Sequence, residues 1–230
     1  MYRTSFLFQN EKSDNGRHRF DRRRWFKNSV SQRHHAKNHN TPNSLERTLK
    51  CHDESVITCL LCQDGYIITG SEDTALTVWK QNDNRVYQLK GILSGHQGGV
   101  WCAAASGKMV VSGSTDRTIM VWNLESMEST AILRGHHGTV RCLDMYKGSN
   151  TCSKNRFVSG SRDYSLRLWT LKDVTQVDVL DDDPRCLKVF SGHTKPVRCV
   201  QWSPCGRKIV SGAYDFEVRV WDATDESDGD

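Results

Sequence analysis

Arg162 stands in the stretch VSGSRDYSLRLW (Val158–Trp169), one residue before an aspartate. The same frame recurs in ITGSEDTALTVW (Ile68–Trp79), VSGSTDRTIMVW (Val111–Trp122) and VSGAYDFEVRVW (Val210–Trp221). The residue before the Asp varies: it is Glu72, Thr115, Arg162 or Tyr214. A second variable position lies five residues after a histidine in each copy and reads Ile57, Trp101, Arg141 and Arg198. In the second to fourth copies these positions pair Trp101 with Thr115, Arg141 with Arg162, and Arg198 with Tyr214, with no acid among the six. Three guanidiniums without evident carboxylate partners make an anion site, and the arginine fork matches phosphate oxygens in bidentate fashion. Trp101 and Tyr214 would lay flat apolar surface beside it.

The residues that must position these six are the ones that recur. Each copy carries a His, a hydroxyl, an Asp and a Trp: His52, Thr69, Asp73 and Trp79; His96, Ser112, Asp116 and Trp122; His136, Ser159, Asp163 and Trp169; His193, Ser211, Asp215 and Trp221. These four groups can close a hydrogen-bonded network whose burial makes partial breakage costly, so all sixteen read as scaffold. Between them lie short β-branched and aromatic runs such as SVITCLLC, YIITGS and LTVW, punctuated by Gly, Asn and Asp. Each copy is therefore expected to be a four-stranded antiparallel meander. In a meander the loop entering the first strand and the loop between the second and third lie at the same end. The His sits in one loop and the Asp in the other, which brings both variable positions to one rim.

With GH at 95–96, 135–136 and 192–193, the repeat resembles the WD-repeat pattern, which implies an all-β fold, a β-propeller. The naming dipeptide survives at Trp221-Asp222. We expect a basic, partly helical arm and linker over 1–44, four repeats over 45–222 (about 45–93, 94–133, 134–190 and 191–222), and an acidic tail over 223–230. ERTLK (Glu46–Lys50) is expected to be a lone outer strand ahead of three four-stranded blades and a final three-stranded one. Four blades are half of a common eight-blade ring, which points to part of a larger protein or, as a rival, to two chains pairing into one ring.

The charge is divided unevenly. Residues 1–50 hold 12 Lys+Arg against 4 Asp+Glu, leaving 20 against 23 for the remaining 180. Clustered bases in RHRFDRRRWFK (Arg17–Lys27) could serve nucleic-acid binding or nuclear import, but a solvated linker helix is the simpler reading and no nucleic-acid partner is expected. No run is long and apolar enough for a membrane span. Nine scattered cysteines suit a reducing compartment better than a disulfide framework. Cys59 and Cys62 lack a second pair at zinc-ribbon spacing, so no metal and no cofactor is expected. Cys102, Cys142 and Cys199 share one repeat position and read as small buried hydrophobes. The run Asp181–Asp183 reads as a solvated loop. The repeated His, Asp and hydroxyl sets are used by the scaffold, and no further nucleophile with a base stands out, so no enzyme is expected.

The segments HDESVITCL, GSTDRT, GTVRCL, VSGSRD, VRCVQ and VSGAYDFEVRVWD together resemble the Archipelago-type F-box/WD-repeat proteins, substrate receptors of SCF cullin-RING ubiquitin ligases. The likeness runs from about Leu45 to Asp222 and corresponds to the first four of that family's eight blades. It implies a non-catalytic receptor for phosphorylated protein substrates, reading a phospho-Thr followed by Pro and often a second phosphate or acid four residues on. The family's phosphate-binding arginines fall on Arg141, Arg162 and Arg198, and its other pocket residues on Trp101, Thr115, Thr139 and Tyr214. A pocket serine of the family falls on Gly138 and a rim lysine on Met120, which implies a weaker hold on the second phosphate. No F-box is visible ahead of the linker, so the Skp-type adaptor and the cullin are implied as partners of a full-length form. The resemblance also implies a nuclear and cytoplasmic location and a part in proteasomal degradation. A phosphorylation-independent WD-repeat scaffold is the alternative.

Overall fold

The computed structural model describes residues 48–52, 54–148, 155–171 and 183–224. The basic arm, most of the two long connections of the third repeat and residues 225–230 lie outside the described residues. The chain divides into two units, Met1–Thr48 and Leu49–Asp230, and every strand below belongs to the second.

Fifteen strands form four antiparallel meanders in chain order. The first sheet is β1 (Ile57–Gln63), β2 (Tyr66–Ser71), β3 (Ala75–Gln81) and β4 (Tyr87–Ser94). The second is β5 (Val100–Ser106), β6 (Met109–Ser114), β7 (Ile119–Asn123) and β8 (Glu128–Leu133). The third is β9 (Val140–Met145), β10 (Arg156–Ser161), β11 (Leu166–Thr170) and β12 (Cys186–Phe190). The fourth has three strands, β13 (Val197–Trp202), β14 (Lys208–Ala213) and β15 (Val218–Asp222). Thr48, Leu49 and Lys50, the described part of the expected lone strand, are not in a strand. A single extended segment with no neighbour to satisfy its backbone has nothing to hold it in a sheet.

The sheets pack in series through their first strands, β5 against β1, β9 against β5 and β13 against β9. A glycine column makes this close contact possible. A Cβ built on Gly70 would lie 2.8 Å from Val100 of the next sheet, one on Gly113 2.5 Å from Val140, and one on Gly160 2.7 Å from Val197. Each glycine is thus a socket for a valine knob, and Val100, Val140 and Val197 are fully buried there. Around these contacts Leu76, Val78, Ile119, Val121, Leu166 and Leu168 are also buried, each contributing on the order of 1.5–3 kcal/mol. Polar ties cross the same seams. The Trp202 amide donates to Asp144 Oδ2 at 2.8 Å, and Arg185 Nη2 donates to the Ile132 carbonyl at 2.9 Å. Asp183 is buried and ion-paired to Arg185 at 2.6 Å, so this end of the acidic run anchors a seam and is not a solvated loop.

Two local irregularities repeat in every sheet. The β2–β3 type of hairpin closes with a three-residue turn: the carbonyls of Ser71, Ser114, Ser161 and Ala213 accept from the amides of Thr74, Arg117, Tyr164 and Phe216. Those last four residues hold positive φ, 75°, 71°, 75° and 69°, without being glycine. The Asp before each offsets that strain by accepting, through Oδ1, the amide two residues on, at Ala75, Thr118, Ser165 and Glu217. The second irregularity is a bulge near the start of the first strand. Pairing skips one residue between Ile57 and Cys59, Val100 and Cys102, Val140 and Cys142, and Val197 and Cys199.

Candidate functional site

The bulges and the turns set the rim. The residues skipped by the bulges are Thr58, Trp101, Arg141 and Arg198. A bulge frees a side chain from the alternation of its strand and re-aims it. The residues before the turn aspartates are held against the same bulged segments. The amides of Glu72, Thr115, Arg162 and Tyr214 donate to the carbonyls of Val56, Gly99, Thr139 and Pro196, at 3.2, 3.0, 2.9 and 3.0 Å. With the backbone so fixed, the side chain at the turn tip is free to vary, which accounts for the variation before the Asp. In the first sheet the bulged residue is Thr58, not the expected Ile57. The loop after His52 has one residue more than its counterparts, so a fixed count from the histidine lands one residue early.

Three expected site residues form a contact chain. The Arg141 guanidinium carbon lies 4.0 Å from the Trp101 ring centroid, a cation–π stack. Trp101 Nε1 donates to Thr115 Oγ1 at 2.8 Å, and the Thr115 hydroxyl donates to the Gly99 carbonyl at 3.2 Å. Thr115 thus fixes the indole, and the indole presents a flat face to Arg141. Arg162 is exposed one sheet on, with its amide on Thr139, whose side chain is buried. Arg198 and Tyr214 are exposed on the fourth sheet. Among the described residues neither Arg162 nor Arg198 has a carboxylate in ion-pair range. Gly138, where the resemblance places a serine, brings its backbone tight against the Arg162 turn: a Cβ there would lie 2.8 Å from the Asp163 amide nitrogen.

Beside Thr115 a cleft of about 430 Å³ opens, with Arg117, Arg134 and His137 on its walls. These three residues were not among the expected site residues. Arg117 is the positive-φ residue directly after the Asp, and that position is a signal that a reading of the residue before the Asp overlooks.

Beneath the rim the scaffold closes three times and fails once. His96 Nδ1 meets Asp116 at 2.8 Å and Nε2 meets Ser112 Oγ at 2.8 Å, while Trp122 Nε1 donates to the same hydroxyl at 2.8 Å. The third sheet repeats this with His136, Asp163, Ser159 and Trp169 at 2.8, 2.7 and 2.8 Å. In the fourth, His193, Asp215, Ser211 and Trp221 meet at 2.7, 2.8 and 2.8 Å. Donor counting fixes the protons. The indole can only donate, so the serine hydrogen goes to Nε2 and the Nδ1 hydrogen to the carboxylate. In the first sheet His52 reaches Asp73 and Thr69 Oγ1 at 2.7 and 2.8 Å, but Trp79 Nε1 is buried without a partner.

The charge environment of these groups favours the same proton arrangement. Burial holds the His136 imidazole below its ordinary value despite the charge of Asp163. Burial alone would raise Asp116 and Asp163, but the bonds from His96 and His136 and from Thr118 and Ser165 outweigh it and hold both below the carboxylate range. Asp215 is held at about 2, burial being outweighed by the bond from His193 and by the amides of Thr194 and Glu217. Among the described residues His193, Asp215 and Glu217 come close enough to share a metal, but His193 is spent on Asp215 and Glu217 on Arg219. Cys102 and Cys142 are buried and their thiols pushed up by burial, whereas Cys199 is exposed, against expectation, because no sheet covers it among the described residues.

Serial antiparallel meanders, three of them tied by a closed His, Asp, Ser and Trp network, define a β-propeller protein. The chain belongs to the WD40 family (WD domain, G-beta repeat), which matches residues 43–80, 87–123, 127–170 and 184–222. WD-repeat propellers generally serve as non-catalytic scaffolds and receptors for protein partners. The chain is 39% identical over 186 residues to Cell division control protein 4 of Saccharomyces cerevisiae, across 76% of this chain and 23% of that one. It is 31% identical over 246 residues to the WD repeat-containing protein pop2 of Schizosaccharomyces pombe, across 96% of this chain and 33% of that one. It is 28% identical over 200 residues to the Nuclear distribution protein nudF of Emericella nidulans, across 78% and 42%. The chain thus spans less than half the length of these relatives. Among solved structures it is similar to the computationally designed Ika4 protein, with TM-score 0.62 and 28% identity over 77% of this chain and 96% of that one. The designed Ika8 protein matches with TM-score 0.59 and 29% identity over 74% and 46%.

Proposed function

We propose that this chain binds phosphorylated peptides of the phospho-Thr-Pro type on the arginine rim and that, in a full-length protein carrying an F-box, it presents such substrates to an SCF-type ubiquitin ligase in the nucleus and cytoplasm. The observation that carries the reading is the set Arg141, Arg162 and Arg198 at one end of the third and fourth sheets, with Arg162 and Arg198 lacking acidic partners among the described residues. A dianionic phosphate supplies the charge these groups lack, each charge-assisted bond contributing on the order of 1.5–3 kcal/mol. Trp101 and Tyr214 offer apolar faces for the proline that follows. The cleft walled by Arg117 and Arg134, which Asp116 also lines, offers room and a surplus of positive charge for a second phosphate or acid. The match to nudF supports a second reading, a scaffold whose rim binds partners irrespective of phosphorylation.

An anisotropy titration with a labelled phospho-Thr-Pro-x-x-phospho-Ser peptide and its unphosphorylated twin separates the two. Binding of the phosphorylated peptide alone supports the receptor. Equal binding of both transfers the rim to the scaffold reading, and binding of neither by a folded chain removes the rim as a peptide site.

A further inference from the structure

The rim changes sign across the sheets. Of their four rim positions, the third and fourth sheets carry arginine at Arg141, Arg162 and Arg198, and the second sheet carries the neutral pair Trp101 and Thr115. The first sheet differs from all of them. Its bulged residue, Thr58, presents nothing to the rim, because its hydroxyl is spent on the backbone carbonyls of Gly70 and Val100. Glu72 is therefore the side chain that the first sheet offers there, and no other rim position holds an acid.

Glu72 is held as its counterparts are. Its amide donates to the Val56 carbonyl at 3.2 Å, the bond that Thr115, Arg162 and Tyr214 make on their own sheets. On its other side the second sheet closes on it: a Cβ built on Gly99 would lie 3.1 Å from the Glu72 Cα. The Gly99 carbonyl also accepts from the Thr115 hydroxyl that fixes Trp101, so the acid adjoins the backbone that carries the indole and its Arg141 stack. An inner seam, between the first and second sheets, thus sets its place. The Glu72 side chain is exposed, and among the described residues no cation lies in ion-pair range of it.

We propose that Glu72 is a specificity-determining residue of the rim, selecting ligands that carry a lysine or arginine on the side of the phosphothreonine that reaches the first sheet, an inference that rests on the phosphopeptide reading above. A ligand whose phosphate lies on Arg141, Arg162 and Arg198 and whose chain extends over Trp101 arrives at a free carboxylate. An acid is repelled there and a cation pairs. Packed sheets lie about 10 Å apart and an extended chain rises about 3.3 Å per residue, so two seams less part of the reach of a lysine come to about five residues. The sign of the preference is diagnostic. The rest of the rim is mainly cationic, with Lys195 also exposed ahead of Arg198, so the surrounding field disfavours a basic ligand residue and a local acid is needed to favour one.

Anisotropy titrations of the 230-residue chain with labelled phospho-Thr-Pro peptides test it. Each peptide carries lysine or its uncharged isostere norleucine, placed about five residues before or about five residues after the phosphothreonine. In one of the two placements the parent should bind the lysine peptide about threefold more tightly at low salt, as an exposed ion pair allows, and the preference should vanish at about 1 M salt. Glu72→Lys should reverse the preference and Glu72→Gln abolish it. The third sheet carries Arg162 at the same turn position, so a cation there is compatible with the fold. Equal affinity of the parent for both peptides in both placements, tighter binding of norleucine in both, or a lysine preference that survives Glu72→Lys overturns the inference and leaves the phosphopeptide reading standing. Failure of every phosphopeptide to bind a chain that melts cooperatively removes that reading and this inference with it.

Discussion

The rim arginines differ in how they are held, and that difference decides which substitution isolates recognition from stability. Arg141 is stacked on Trp101 and belongs partly to the packing, whereas Arg162 is exposed at a turn tip with its backbone pinned independently of its side chain. Arg162→Ala should therefore weaken phosphopeptide affinity at least tenfold, about 1.4 kcal/mol, while shifting the thermal melt by less than about 1 °C. Anisotropy and calorimetry on the same preparation check both halves, and equal affinity in variant and parent would remove Arg162 from the pocket. The tryptophans give a second residue-scale contrast. Trp169 donates to Ser159 in a fully buried network, whereas Trp79 has a buried N–H with no partner. Replacing Trp169 by Phe strips a hydroxyl of its donor, and replacing Trp79 by Phe removes an unsatisfied one. Urea unfolding should show Trp169→Phe costing more than Trp79→Phe by about 1–2 kcal/mol.

Acid sensitivity is carried by the networks of the second, third and fourth sheets. A buried imidazole with a lowered pKa stays neutral in the fold and takes up a proton when unfolded, so His136 contributes stability that is lost as pH falls below its ordinary value of 6.5. Asp116, Asp163 and Asp215 have depressed values as well, so their contribution is full above the ordinary 3.8 and is lost as pH falls further. The melting temperature should thus decline in two stages on acidification, gently from about pH 6.5 and steeply below about pH 4. A melt that rises between pH 7 and 5 would mean that the imidazole is charged in the fold. At this scale the repeat was legible because it is enforced by buried partners: in the second to fourth sheets a changed Asp or Trp orphans a hydrogen bond, which holds the spacing of six between them. The bulge was not legible. It is a backbone event with no residue signature, and the single extra residue after His52 moved the rim position from Ile57 to Thr58. Arg117 was missed for a related reason, since a positive φ at an arginine is dictated by the turn around it and not by the residue type. Cys199 and Asp183 show the converse error, in which burial was assigned from residue type although it depends on whether another sheet or an arginine lies opposite.

At the scale of the whole molecule, the sheets are held in series by three seams of one design. Each seats a valine of one first strand in the space left by a glycine of the sheet before it: Val100 at Gly70, Val140 at Gly113 and Val197 at Gly160. The three valines are fully buried, so each seam closes only while the glycine carries no side chain. A Cβ at Gly113 would lie 2.5 Å from the Val140 side chain and one at Gly160 2.7 Å from Val197, so an alanine at either place forces the valine or the sheet to move. Overpacking of this kind costs about 1–3 kcal/mol. Urea unfolding should show Gly113→Ala and Gly160→Ala each destabilised by an amount in that range. Parent-like stability in both variants would mean that the sheets are not joined through this contact.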